Sequence, residues 1–268
     1  MLTRLRPPHR LGAILAPLVL ALLPISATPG ANASAGGMAR LPGGTFTLGE
    51  TKKTVTVQPF LMDETEVTMG AYAACVKAGK CSPAHATVDW PDIREADRTQ
   101  WSPYCNQEKP DRVNHPVNCV DWNQATAYCA WAGKRLPTEE EWEWAARGAE
   151  RGATYPWGNE PPGSQLCWNG EGNDLGKGQR KSTCPTGSYP AGNTPQGLKD
   201  LAGNVWEWTS STPDVSDPSR RVIRGGSGSN VNPAFVSAAI RDRFPPVLRA
   251  SNLGFRCART PTGHHRPG

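Results

Sequence analysis

Cysteine is missing from the places where it would commit this chain to a familiar chemistry. None precedes Cys75, which excludes a lipid-modified amino-terminal cysteine. No Cys-x-x-Cys pair occurs, and only His85 and His115 stand in the mature chain before its tail, so a thiolate and imidazole metal site lacks its ligands and spacing. Long apolar runs are absent as well. The run Leu11 to Leu23 is thirteen residues and is broken by Pro17, short of the roughly 20 that a spanning helix needs, so no transmembrane anchor is expected in the mature chain. No adjacent arginine pair marks the twin-arginine route. A clustered basic face is also missing. Of 29 basic residues, Arg4, Arg6 and Arg10 lie in the leader, and the remaining 26 against 24 acidic residues leave +2, which argues against a nucleic-acid partner. There is no internal repeat.

What is present reads as an exported, loop-rich chain. The basic start, the apolar run and the cleavage box Ala31-Asn32-Ala33 form a Sec-type signal peptide over residues 1–33, which places the mature protein in the periplasm or outside the cell as a secreted chain. With 28 Gly, 26 Pro, 10 Trp and a mean hydropathy of −0.52, the expectation is one domain of sparse regular secondary structure with large aromatic side chains in its core. Eight cysteines in an exported chain read as four disulfides. Short spacings make Cys75 with Cys81, Cys105 with Cys119, and Cys167 with Cys184 the economical pairs, which leaves Cys129 with Cys257 as a long-range staple.

Local patterns place the elements. Thr45 to Leu48, Thr54 to Val57 and Phe60 to Met62 are expected to form one opening antiparallel sheet. Thr68 caps a helix with Met69, Tyr72, Ala73 and Val76 on its inner face and Gly79 at its end. Between Cys81 and Cys119 the chain is proline-punctuated and reads as irregular, a region where binding surfaces are often carried. Asp121 with Gln124, and Thr138 with Glu141, have capping-box spacing. The helices they start bury Ala125, Tyr128 and Cys129 in one case and Trp142, Ala145 and Ala146 in the other. Glu139, Glu140 and Glu141 suit a positive helix start, which leaves them no need of a catalytic role. Arg221 to Arg224 reads as a strand before the turn Gly225 to Asn230, and Asn252 to Cys257 as the last strand. Residues 260–268, with His264 and His265, read as a disordered tail.

Two stretches are rich in oxygen donors. Leu198 to Thr209 sets Asp200 and Glu207 around the turn-forming Gly203, with Trp206 and Trp208 as anchors. Asn169 to Asp174 is the other, although it lacks the spacing and closing glutamate of an EF-hand loop. Gly172 to Lys177 has the wrong spacing for a phosphate loop and no Ser or Thr after the lysine.

Four blocks stand in order. They are Gly43-Gly44-Thr45-Phe46, then Trp131 to Glu143, then Gly203-Asn204-Val205-Trp206-Glu207-Trp208, and finally Arg224-Gly225-Gly226-Ser227 followed by Asn252 to Cys257. Together they closely resemble the formylglycine-generating enzyme family, also called sulfatase-modifying factors, over residues 38–259. The resemblance implies a single compact α+β domain, distantly related to C-type lectins and stapled by disulfides, Cys129 with Cys257 among them. It implies calcium held by Asp200, the backbone carbonyls of Gly203 and Val205, and Glu207, and a second calcium near Asn169 to Asp174, where the loop departs from the family's pattern. Active members use two cysteines after Gly-Gly-Ser to bind copper and oxidise a sulfatase cysteine to formylglycine. Here Gly228 to Arg241 contains no cysteine. Asn230 stands at the first position and Phe235 or Pro233 at the second, and none supplies the soft thiolate that holds copper(I). No catalytic residue is therefore assigned, and copper is not expected. Trp206, Ser227 and Asn230 mark the family's substrate pocket. The expected protein is a monomeric, calcium-stabilised binding module or pseudoenzyme for a peptide or small-molecule ligand. The alternative is a divergent oxidoreductase of the same family, acting in peptide or small-molecule maturation or in sulfatase activation through formylglycine formation.

Overall fold

The first four strands divide between two sheets instead of forming one. In the computed structural model, which describes residues 37–214 and 217–261, Met38–Leu41 (β1) pairs antiparallel with Phe60–Asp63 (β4), while Gly44–Thr47 (β2) and Thr54–Val57 (β3) form a separate hairpin. One face of the hairpin is exposed, where Thr45 meets Thr56 and Thr47 meets Thr54, while Val57 is buried in the core with Trp142 and Trp144 and Phe46 packs on Trp144, ring centroids 5.3 Å apart. The expected leader over residues 1–33 lies outside the described residues, as does the tail from residue 262.

Four helices follow. Met69–Lys77 (α1) is capped by the Thr68 side chain, and it turns Met69, Tyr72 and Cys75 inward, with Ala73 exposed. Cys75 replaces Ala73 on the inner face because its disulfide to Cys81 draws that side of the helix to the core. Glu95–Trp101 (α2) lies in the stretch expected to be irregular. It has no side-chain cap and buries no residue, and Arg98 holds it to Asp89 and to the Val88 carbonyl. Trp122–Trp131 (α3) and Glu139–Ala146 (α4) each begin with a complete capping box.

The remaining strands join the two halves of the core. Trp206–Trp208 (β5) lies inside a four-stranded sheet, between Arg221–Arg224 (β6) and Leu253–Gly254 (β8), with Arg241–Phe244 (β7) beyond β6. The last strand expected from the sequence is in fact two. β8 runs parallel to β5, and Ala258–Arg259 (β9) pairs with β4 in the other sheet. Phe255, Arg256 and Cys257 are the crossing between them. Phe255 packs edge-on against Tyr72 and Tyr128, and Cys257 is bonded to Cys129 of α3. Trp206 and Trp208 join the core between α1, α3 and this sheet, and Trp142 of α4 belongs to a second core with β1 and β4. Among the described residues no helix is long and apolar enough to cross a membrane.

Candidate functional site

The Leu198 to Thr209 stretch is a tight turn running into β5. Asp200, Gly203 and Asn204 have φ of 56°, 82° and 52°. A Cβ on Gly203 would lie 2.3 Å from the Cys167 carbonyl, so the close approach as well as the left-handed backbone requires glycine there. The Gly203 amide donates to the Gly225 carbonyl and the Asn204 amide to that of Cys167, which ties the turn to the glycine-rich turn and to a neighbouring loop.

Charge is concentrated behind this turn. Glu207 is 0% exposed, and its carboxylate accepts from Arg256 Nε at 2.8 Å and Nη2 at 2.8 Å, and from Trp142 Nε1 at 2.8 Å. Arg256 also donates to the carbonyls of Asp63, Glu64 and Lys199, so the crossing segment carries a fully paired guanidinium. Asp200 Oδ2 accepts from the Gly187 amide at 2.5 Å. Glu66, between β4 and α1, is 1% exposed, and neither of its oxygens has a donor. Burial, and then the facing Asp200, push the Glu66 carboxyl well above the ordinary carboxylate range, while burial raises Asp200. When all three carboxyls are ionised, Arg256 leaves a surplus of two negative charges.

That donor set fits a hard divalent cation such as the expected calcium. Its donors are oxygens, its charge is short by two, and among the described residues no donor outside the strand ladders reaches the carbonyl of Gly203 or Val205. Of the expected ligands, Glu207 is the one already engaged by side chains, since its oxygens receive Arg256 and Trp142. Among the described residues no three His, Cys, Asp or Glu side chains form a cage by themselves, so a cation here would lean on backbone carbonyls.

The second oxygen-rich stretch is built the other way, and its oxygens are spent internally. Asn169 Oδ1 accepts from the Arg180 amide at 2.7 Å, and Asn173 Oδ1 from the Leu175 amide at 2.8 Å. Asp174 is paired with the Arg180 guanidinium and accepts from Tyr189 OH at 3.1 Å. Arg180, 7% exposed, also donates to the Trp168 carbonyl at 3.1 Å, to Cys184 Sγ at 2.8 Å and to Tyr189 OH at 3.0 Å. A guanidinium thus stands at the centre of the loop where the resemblance implied calcium.

The three expected pocket residues separate. Asn230 Oδ1 accepts from the Ser227 amide at 2.7 Å and from Ser227 Oγ at 3.0 Å, so both side chains close a turn and Ser227 lies behind Ser229. The open space lies beside them. A cavity of about 280 Å³ is lined by Trp90, Trp101, Tyr104, Asn204, Ser229 and Asn252, among others, and Asn204 Nδ2 is a buried donor there without a partner. Trp206 faces an adjoining, more apolar cavity of about 480 Å³ with Ile223, Phe244 and Leu248, edged by Arg220 and Asp242. Trp90, Ala250 and Asn252 belong to both, so the two form one cleft. His115 donates to or accepts from Thr183 Oγ1 at 2.8 Å beneath the first cavity, and burial, followed by the Arg112 charge, lowers its pKa to about 4. Trp90, Trp101 and Tyr104 had only scattered aromatic spacing to announce them. The buried pairs of Arg224 with Glu139 and Glu143, at 3.0 and 2.9 Å, which hold β6 against α4, had none.

All eight cysteines are bonded, in the pairs Cys75–Cys81, Cys105–Cys119, Cys129–Cys257 and Cys167–Cys184, and none is free. At the positions to which the resemblance assigned a copper pair, Asn230 is spent on its turn, and Phe235 and Pro233 are exposed and carry no thiolate.

The pattern of the sulfatase-modifying factor enzyme 1-like domain matches residues 26–261. The formylglycine-generating enzyme of Streptomyces coelicolor is 37% identical over 297 aligned residues, covering 87% of this chain and 93% of that protein. The inactive Cα-formylglycine-generating enzyme 2 of Bos taurus is 34% identical over 303 residues, covering 96% of this chain and 99% of that protein. Among solved structures, PvdO from Pseudomonas aeruginosa superposes with a TM-score of 0.62 at 25% identity, covering 84% of this chain and 94% of that one.

Proposed function

The chain belongs to the sulfatase-modifying factor enzyme 1-like domain family, and from that premise we propose that it is a calcium-stabilised binding module of this fold, exported from the cytoplasm and without copper-dependent cysteine oxidase activity. Relatives include both a formylglycine-generating enzyme and an inactive one, so membership leaves the activity open. The observation that supports this reading is the cysteine inventory. Every cysteine is in a disulfide and none stands between Gly228 and Arg241, so that segment offers no free thiolate pair to hold copper(I). Four disulfides favour an oxidising compartment.

The cleft is the binding site in this reading. Trp90, Trp101 and Tyr104 give apolar walls, and Ser229 and Asn252 line the same cavity with polar side chains, a combination suited to a peptide or an amide-bearing small molecule. Calcium at Asp200 and the Gly203 and Val205 carbonyls neutralises the charge behind the cleft floor and fixes the turn that carries Asn204 and Trp206. Arg180 takes the place of the second ion, so one calcium is bound per chain.

The test is to incubate the purified mature chain with copper, oxygen and a peptide containing Cys-x-Pro-x-Arg, and to read the product by mass spectrometry. The peptide should be recovered with its cysteine intact. Formylglycine in the product would overturn the proposal.

A further inference from the structure

We propose that Cys167–Cys184 is a redox-active disulfide, which exchanges with a dithiol entering the cleft and releases Cys184 as a thiolate onto Arg180. Neither calcium nor copper enters into it.

The four disulfides do not share one environment. Arg180 Nη1 stands 2.8 Å from Cys184 Sγ, with Tyr189 OH at 3.6 Å, whereas among the described residues no donor reaches a sulfur of Cys75–Cys81, Cys105–Cys119 or Cys129–Cys257. A disulfide sulfur is a weak acceptor and gives the guanidinium little. A thiolate in the same place would receive a charge-assisted hydrogen bond, so the contact favours the reduced form. A stabilised thiolate is also the better leaving group, which makes Cys184 the sulfur that departs. Asp174, the charge partner of Arg180, has a side chain 51% exposed, so water screens that pair and the guanidinium keeps its pull on the sulfur.

The other sulfur lies under the cleft. Ser182, Thr183, Asn204 and Gly228 line the cavity of about 280 Å³, and a Cβ on Gly228 would lie 3.6 Å from Cys167 Sγ, so bare backbone separates that sulfur from the open space. Cys167 and Cys184 are 1% and 5% exposed, so attack follows a local opening. The loop they close suits one, because Glu171, Gly172 and the run from Asp174 to Lys177 are exposed and hold little of the core.

A thiolate of the dithiol attacks Cys167 Sγ. Its bond to Cys167 forms as the Cys167–Cys184 bond breaks, and the electron pair leaves on Cys184. The second thiol then attacks the first sulfur, which closes the dithiol into a disulfide and hands an electron pair to Cys167. Of the two protons the dithiol loses, one goes to Cys167 and the other to solvent, since Cys184 stays ionised beside Arg180. Asn204 couples this chemistry to the cleft. Its amide donates to the Cys167 carbonyl, its Oδ1 accepts from the Cys184 amide, and its carbonyl accepts from the Gly228 amide, so one residue ties both halves of the disulfide to the cavity floor. Reduction loosens that floor.

Titration of the folded mature chain with dithiothreitol, followed by iodoacetamide trapping and peptide mapping by mass spectrometry, reads the order in which the four pairs open. Cys167 and Cys184 should be alkylated together at a dithiol concentration at least tenfold below that needed for Cys105–Cys119, whose sequence separation of 14 is close to their 17. A smaller gap, or the reverse order, would overturn the proposal. Arg180→Gln should raise the concentration needed for Cys167–Cys184 at least threefold. A merely structural Arg180 predicts the opposite, because a looser loop is easier to reduce, so a smaller rise, no change or a fall would overturn the leaving-group role. The wild-type titration needs no variant and decides the matter should Arg180→Gln fail to fold. Gly228→Ala, whose methyl group would stand over Cys167 Sγ, should slow the exchange, and an unchanged rate would overturn entry from the cleft.

Discussion

The loop around Arg180 and the turn around Asp200 meet at the same disulfide yet balance their charge in opposite ways. The Asn204 amide donates to the Cys167 carbonyl and the Cys184 amide donates to Asn204 Oδ1, so the two share an edge. On one side Arg180 supplies a resident cation, and every asparagine and aspartate oxygen around it has a use. On the other, three buried carboxyls face one guanidinium. An irregular loop needs its polar groups satisfied in either case, and the difference is that the chain itself supplies the balancing charge around Arg180 and does not supply all of it around Asp200.

The comparison can be broken most severely at Arg256. Arg256→Met leaves Glu207 buried with Trp142 as its remaining donor, and the loss should be about 3–5 kcal/mol in urea unfolding. A loss of under about 1 kcal/mol would mean the pair is not what holds the two sheets at their crossing. Calcium removal comes next. At a hundredfold excess over Kd a ligand of the native state contributes about 2.7 kcal/mol, so chelation should lower the melting temperature and speed amide exchange from Asp200 to Val205, with exchange at residues 169–180 unchanged. Equal loosening of both loops would erase the distinction. Arg180→Ala is expected to cost about 2 kcal/mol, from charged hydrogen bonds lost on one buried and one half-exposed side, and to expose residues 169–184 to protease while calcium binding stays as in wild type.

At neutral pH the smallest effect is at His115, which is packed on Thr183 beside the shared disulfide and acts only as the pH falls. Burial lowers its pKa to about 4 in the folded chain, against the ordinary value near 6.5 when unfolded. Between those values the unfolded state binds more protons, so stability is full above pH 6.5 and falls as pH drops toward 4. His115→Gln should flatten that slope in melting curves taken across the window. An unchanged slope would assign it to other groups.

How much of this was legible beforehand follows from distance along the chain. The caps at Thr68, Asp121 and Thr138 are local chemistry, and the helices start where those residues stand. Cysteine spacing and the four sequence blocks identified the disulfide frame and the family. α2 was missed because it has no cap and lies among prolines, and β5 because three residues of strand take their register from β6 and β8 rather than from their own alternation. Ser227 and Asn230 were placed in the right turn, but the bonds by which they close it were not foreseen, since short polar side chains readily bond the nearby backbone. Glu66, Arg180 and the Arg256 pair gave no signal at all. Arg256 meets Glu207 across 49 residues, and no periodicity records a charge pair of that span.

The proposed function pairs this scaffold with one hard cation and no soft one. Elemental analysis of the mature chain, equilibrated with calcium and copper(I) and then freed of unbound metal, tests this most directly. One calcium and no copper per chain is the expected result; two calcium ions, or a retained copper, would contradict it.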